Sequence, residues 1–197
     1  MNLRVGVWGG EDIELRAMLR LAGVELADVE FLEVADEVQA LLTGDVDYVQ
    51  STTYNELPAI VAAAGDPDRV VAHDPAEWGV DVAKDGITVR RDVLEAKPRE
   101  VTRFLRGAIA GWRRALADPA AAAVEVCRAE PTLDVEAQIR QLERLVALFD
   151  PAQPLGQPRS QEIERARRAA RAAGDARAAA EVRIDPRPWE QASCLSA

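Results

Sequence analysis

Between Asp45 and Glu56 the chain reads Asp-Val-Asp-Tyr-Val-Gln-Ser-Thr-Thr-Tyr-Asn-Glu. Val46 to Gln50 has the composition of a short strand, and Thr53, Tyr54, Asn55 and Glu56 follow where a helix should begin. A carboxylate beside an amide suits a neutral or weakly basic heterocycle that carries amino groups, and an aromatic ring can stack on such a heterocycle. Thr53 and Glu56 also have the spacing of a capping box, so these two side chains have a purely structural reading as well. Tyr54 and Asn55 are less easily explained by capping.

Two other places carry candidate chemistry. Trp8-Gly9-Gly10-Glu11 joins an apolar run to an amphipathic one. Glycines at such a junction let a ligand approach the backbone. The run is neither a dinucleotide fingerprint nor a P-loop, since G-x-G-x-x-G and a following Lys-Ser/Thr are both absent. Glu11 and Asp12 disfavour an anion there. The third place is Glu77-Trp78-Gly79, where Trp78 is either a cleft wall or packed core. The candidate ligand-binding residues are therefore Trp8, Gly9, Gly10, Thr53, Tyr54, Asn55, Glu56 and Trp78.

Catalytic and metal-binding sets are missing from the sequence. There is no G-x-S-x-G, no H-E-x-x-H and a single histidine, His73, which reads as structural more readily than as a catalyst or ligand. Lys84 and Lys97 are the two lysines, and neither has the surroundings of a Schiff-base residue. Cys127 falls in an apolar helical run and is expected to be buried; Cys194 falls in the C-terminal tail. No catalytic residue, metal or cofactor is assigned.

The elements that would position these residues follow from periodicity. Leu3 to Trp8, Val29 to Val34, Val46 to Gln50 and Arg69 to Ala72 read as strands. Helices are expected at 11–22, over Val38 to Leu42 behind the cap Asp36, and at 54–64. Strand and helix alternating in this way favour a parallel βαβ sheet. Val80 to Ala83 and Ile87 to Val89 are brief β candidates. From Pro98 onward the pattern is helical: 98–117 with Val101, Phe104, Leu105, Ala108, Ile109, Trp112 and Leu116 as its apolar stripe, then 119–128, 133–149 and 160–173. Glu181 to Ile184 reads as a short extended piece. The expected division is an α/β domain at 3–84, a helical part at 85–185 and a flexible tail at 186–197.

The 197 residues carry a net charge of -10, which argues against nucleic acid and against an anionic membrane surface. No apolar run reaches the roughly 20 residues of a membrane span. No secretory signal is evident, so the chain as written is expected to be cytoplasmic, or periplasmic or cell-surface if it belongs to a longer exported protein.

Val5-Gly6-Val7-Trp8-Gly9-Gly10, Leu41-Leu42-Thr43-Gly44-Asp45-Val46-Asp47, Thr53-Tyr54-Asn55-Glu56 and Asp85-Gly86-Ile87-Thr88-Val89 occur in that order. Together they resemble the second half of the NMT1/THI5-like (SsuA/THI5-like) family of type 2 periplasmic binding proteins, over about residues 3 to 175. The resemblance implies an α/β fold of that type, a parallel βαβ lobe followed by a mostly helical C-terminal half, with ligand held between two lobes. It implies a non-catalytic substrate-binding protein of ABC-importer type for a thiamine pyrimidine precursor, an aminopyrimidine-like molecule that Glu56 would hold. The partners implied are an ABC transporter permease or a separately encoded lobe, because the N-terminal part of the first lobe is absent from this sequence. Two alternatives stand beside it. One is an enzyme of the thiamine-pyrimidine synthase type, although the cysteine-rich motif of the fungal enzyme is missing. The other is a stand-alone interaction or sensor domain that forms homo-oligomers through the apolar faces of 98–117 and 133–149.

Overall fold

Valines at alternate positions make β1 (Leu3–Val7), whose Val5 and Val7 are buried. The computed structural model describes residues 3–9, 12–83, 86–181 and 184–193. Gly10, Glu11, Lys84, Asp85 and Cys194, named above, lie outside them. The helix α1 (Ile13–Leu21) follows β1, and a 3-10 turn at Leu26–Asp28 leads into β2 (Val29–Glu33). The Asp36 carboxylate accepts the Gln39 N–H and caps α2 (Glu37–Thr43); Gly44 ends it at φ 77°, a left-handed conformation that costs glycine little. Then come β3 (Tyr48–Val49) and α3 (Glu56–Ala64).

The strands form a parallel sheet in the order β2-β1-β3, with Val5 opposite both Phe31 and Tyr48. The strand expected at 46–50 is regular only at Tyr48 and Val49, but ladder bonds continue on either side: Asp47 N–H donates to Arg4 O at 2.8 Å and Gln50 N–H to Gly6 O at 2.9 Å. Gly6 leaves room for its neighbours, because a Cβ there would lie 3.0 Å from Val34 Cγ2 and 3.2 Å from Val49 Cγ1.

Other strands expected from composition do not form. After Asp66 its carboxylate takes the Asp68 N–H and Pro67 opens a 3-10 turn, so Arg69 to Ala72 has no ladder to join. A second 3-10 turn covers Pro75–Trp78. Val80 is buried, yet it packs with helices, and the Val82 N–H donates to Glu14 Oε1 at 2.7 Å in place of a strand. Ile87 to Val89 is irregular and exposed.

The remaining elements are α4 (Arg91–Ala96), α5 (Pro98–Ala117), α6 (Pro119–Ala129), α7 (Val135–Val146), α8 (Ser160–Ala172), α9 (Ala176–Glu181) and α10 (Arg187–Ser193). The Asp134 carboxylate accepts the Ala137 N–H and caps α7. By contact the chain falls into two compact units, Met1–Lys84 with Ser160–Arg183, and Asp85–Arg159 with Ile184–Ala197. The span 85–185 is thus shared between them.

In the first unit α1 is sandwiched. Leu15 and Leu19 pack on the sheet with Val5, Val7, Val29 and Phe31. Ala17 meets Val80, Ala169 and Ala173. The Ala-rich face of α8, with no long side chains to keep it away, can lie close on α1. Arg165 also pairs with Asp81 at 2.7 Å.

In the second unit α5 packs on α10 and α6, and α6 on α7. Ile109 is buried as expected, but Phe104 is 63% exposed. It lies two residues beyond the buried Thr102, about 200° round the helix, outside the inward stripe. Cys127 is half-buried, not buried. The piece expected as a flexible tail carries α10 instead: Trp189 Nε1 donates to Leu155 O at 2.9 Å, and Ala192 is buried. Those two anchors give a short polar segment a fixed seat.

Candidate functional site

In an open parallel sheet a ligand sits beyond the carboxyl ends of the strands, where successive connections leave in opposite directions. The order β2-β1-β3 puts that switch point between β1 and β3. Trp8 and Gly9 leave β1 there, and Gln50, Ser51 and Thr52 leave β3. The two exits touch: the Trp8 backbone N–H donates to Gln50 Oε1 at 3.4 Å. From the other side of β1, Glu37 at the start of α2 accepts the Trp8 indole N–H on Oε1 at 2.5 Å. Glu33, the last residue of β2, completes the rim; a Cβ on Gly9 would lie 2.7 Å from its Oε1. Trp8 is half-buried, which leaves part of its surface at this edge.

The turn after β3 is built differently from the expected capping box. Thr53 is exposed, and the residue that engages Glu56 is Thr52. Its backbone N–H and hydroxyl both donate to Glu56 Oε2, at 2.7 and 2.6 Å. Asn55 is the N-cap residue, but its side-chain amide donates to Glu56 Oε1 at 2.6 Å and caps no helix N–H. Helix α3 therefore begins at Glu56, later than expected. Burial pushes the Glu56 carboxyl up, but the Thr52 hydroxyl, the Thr52 and Glu56 backbone N–H groups and the Asn55 amide outweigh it and hold it below the ordinary value. Glu56 is thus an ionised carboxylate fixed by its own turn. Tyr54 is half-buried within that turn.

Trp78 belongs to the connection that follows α3. It ends the 3-10 turn that packs on α1 and is 37% exposed. His73 lies beside Tyr48, with ring centroids 6.4 Å apart. Among the described residues no group of three His, Cys, Asp or Glu is placed to hold a metal ion, and no helix is long and apolar enough to cross a membrane. A hollow lined by Arg20, Leu21, Gly23 and Val24 lies where α1 turns towards β2, at the amino ends of the strands and so at the wrong edge for the rule above.

Sequence reasoning missed Glu33, Glu37 and Gln50. Gln50 was legible in principle as the first residue beyond the third strand. Glu37 follows directly from the Asp36 cap, which sets it in the first turn of α2. The approach of Glu33 to Gly9 depends on strand register and has no local signal.

A parallel βαβ lobe with an aromatic side chain and polar groups collected at its switch point defines an α/β ligand-binding architecture. The NMT1/THI5-like family pattern matches residues 2–122, more than half of the chain, and the chain belongs to that family. The family has a type 2 periplasmic-binding-protein-like fold, and membership supports a small-molecule substrate-binding role. No curated protein matches the chain.

Proposed function

We propose that this chain binds a thiamine pyrimidine precursor or a similar aminopyrimidine without transforming it, as the substrate-binding component of an ABC importer. The observation that carries this reading is the meeting of Trp8 and Gln50 at the β1–β3 switch point. An indole offers a stacking surface, and the Gln50 amide and the Glu37 carboxylate offer the donors and acceptors that a ring with amino groups requires. Glu56 contributes from its turn as a fixed negative charge, and Tyr54 and Asn55 lie in the same segment. The opposing wall of the cleft belongs to a partner lobe or to more of the same protein, and the loaded protein delivers its ligand to a permease.

Calorimetry with 4-amino-2-methylpyrimidine tests the reading. Measurable binding by the chain, weakened in Trp8→Ala by about 30-fold, is expected, since truncating a central aromatic anchor typically costs on the order of 2 kcal/mol. Binding that is indifferent to Trp8→Ala and to Gln50→Ala would place the ligand elsewhere.

A further inference from the structure

We infer that the ligand at this edge is bound as a cation, with a positive charge carried on ring or amino nitrogen, and that Glu37 sets this preference through Trp8. The inference rests on the site proposed above and specifies the charge of its occupant.

The Trp8 indole N–H is held by Glu37 Oε1 at 2.5 Å. That bond fixes the ring, and a carboxylate at the indole N–H makes the aromatic face more negative, which strengthens its attraction for a cation. The Glu33 carboxylate reaches to Gly9, where a Cβ would lie 2.7 Å from its Oε1. Glu56 adds a third carboxylate from the turn after β3. Arg16, on α1, is already committed: it pairs with Asp12 at 2.7 Å, and its guanidinium lies 4.1 Å from the centre of the Phe31 ring. Arg4, on β1, is engaged by Asp47 and Gly44 O towards the amino end of that strand. The edge that carries Trp8 is therefore acidic in a chain of net charge -10. A carboxylate, sulfonate or phosphate on the ligand would meet like charge from Glu33, Glu37 and Glu56. An aminopyrimidine protonated on the ring, or one quaternised there, meets a carboxylate-backed indole.

The test compares three pyrimidines of similar size by calorimetry at neutral pH: neutral 4-aminopyrimidine, its N1-methylated cation and pyrimidine-4-carboxylate. The expected order is cation tightest, by at least tenfold over the neutral ring, with the anion not bound. Glu37→Gln keeps the hydrogen bond to Trp8 but removes the charge, and should bring the cation within threefold of the neutral compound. Glu33→Gln is the second variant, expected to shrink the same ratio by a smaller factor, and it decides the matter if Glu37→Gln fails to fold by circular dichroism. A neutral ring that binds as tightly as the cation, or a ratio unchanged in both variants, overturns the charge preference and leaves the pyrimidine site standing. No binding by any of the three overturns the site and the inference together.

Discussion

The Asp47 carboxylate takes the Arg4 backbone N–H at 2.9 Å on Oδ2 and the Arg4 guanidinium at 3.2 Å on Oδ1. One residue thus ties the middle strand to the segment that enters β3, and Arg4 also donates to Gly44 O at 2.9 Å. The Arg4 backbone N–H, then its guanidinium, hold the Asp47 carboxyl below the ordinary aspartate value. A lowered folded-state value means that this contribution is fully present above the unfolded value of about 3.9 and is lost as pH falls through the lower folded one. We expect urea midpoints to fall across that acid window in the wild-type chain, with a shallower fall in Asp47→Asn.

Gly6→Ala should destabilise the sheet. Its Cβ would press on Val34 Cγ2 and Val49 Cγ1, which belong to the segments flanking β1 on either side. Neither valine can retreat without shifting its strand, so about 1–3 kcal/mol is expected. Gly6→Val should cost more. Chemical denaturation of both variants measures the difference, and equal stability with wild type would show that the strands move apart readily.

Thr52→Val removes one of the two donations to Glu56 Oε2 and retains the backbone one. The group is only partly buried, so we expect a cost of about 1 kcal/mol, below the roughly 1.5–3 kcal/mol typical of bonds to charged groups. The Glu56 carboxyl should titrate at higher pH in the variant, which carbon-detected NMR of the side chain reads directly. In the wild type its folded value is lowered, so Glu56 stabilises above the unfolded value of about 4.3 and ceases to do so as pH falls through the folded one.

Trp189→Phe keeps most of the ring and deletes the N–H that reaches Leu155 O. The loss of a hydrogen bond to a part-buried carbonyl predicts a cost of about 1 kcal/mol. Hydrogen exchange should report it in α10 and in the facing α5, and leave the sheet unchanged.

The legible parts of the fold were those set by local pattern. Leu3 to Val7, Ile13 to Leu21 and the Asp36–Gly44 helix announce themselves through alternation, amphipathic spacing and caps. Errors arose where a distant partner decides the state. Val80 and Val82 have strand composition, but Ala17, Ala169 and Glu14 claim them. Glu56 does fall at the turn after β3, yet the spacing favours Thr53 as its partner when the carboxylate reaches back four residues to Thr52. Trp8 and Gly9 stand out by type; Glu33 and Glu37 become their neighbours only once register and the start of α2 are fixed.

Helix α8 and the residue after it close the hydrophobic layer around Ala17 and Val80 with Ala169 and Ala173, although 75 residues of another unit, Asp85–Arg159, are made in between. During synthesis the N-terminal sheet must therefore wait, with one side of α1 bare, until the ribosome has passed the second unit. That interval is the period when the nascent chain is most open to chaperones and to misassociation. A circular permutant that begins at Ser160 and runs on into Leu3 would place α8 ahead of the sheet and shorten the wait.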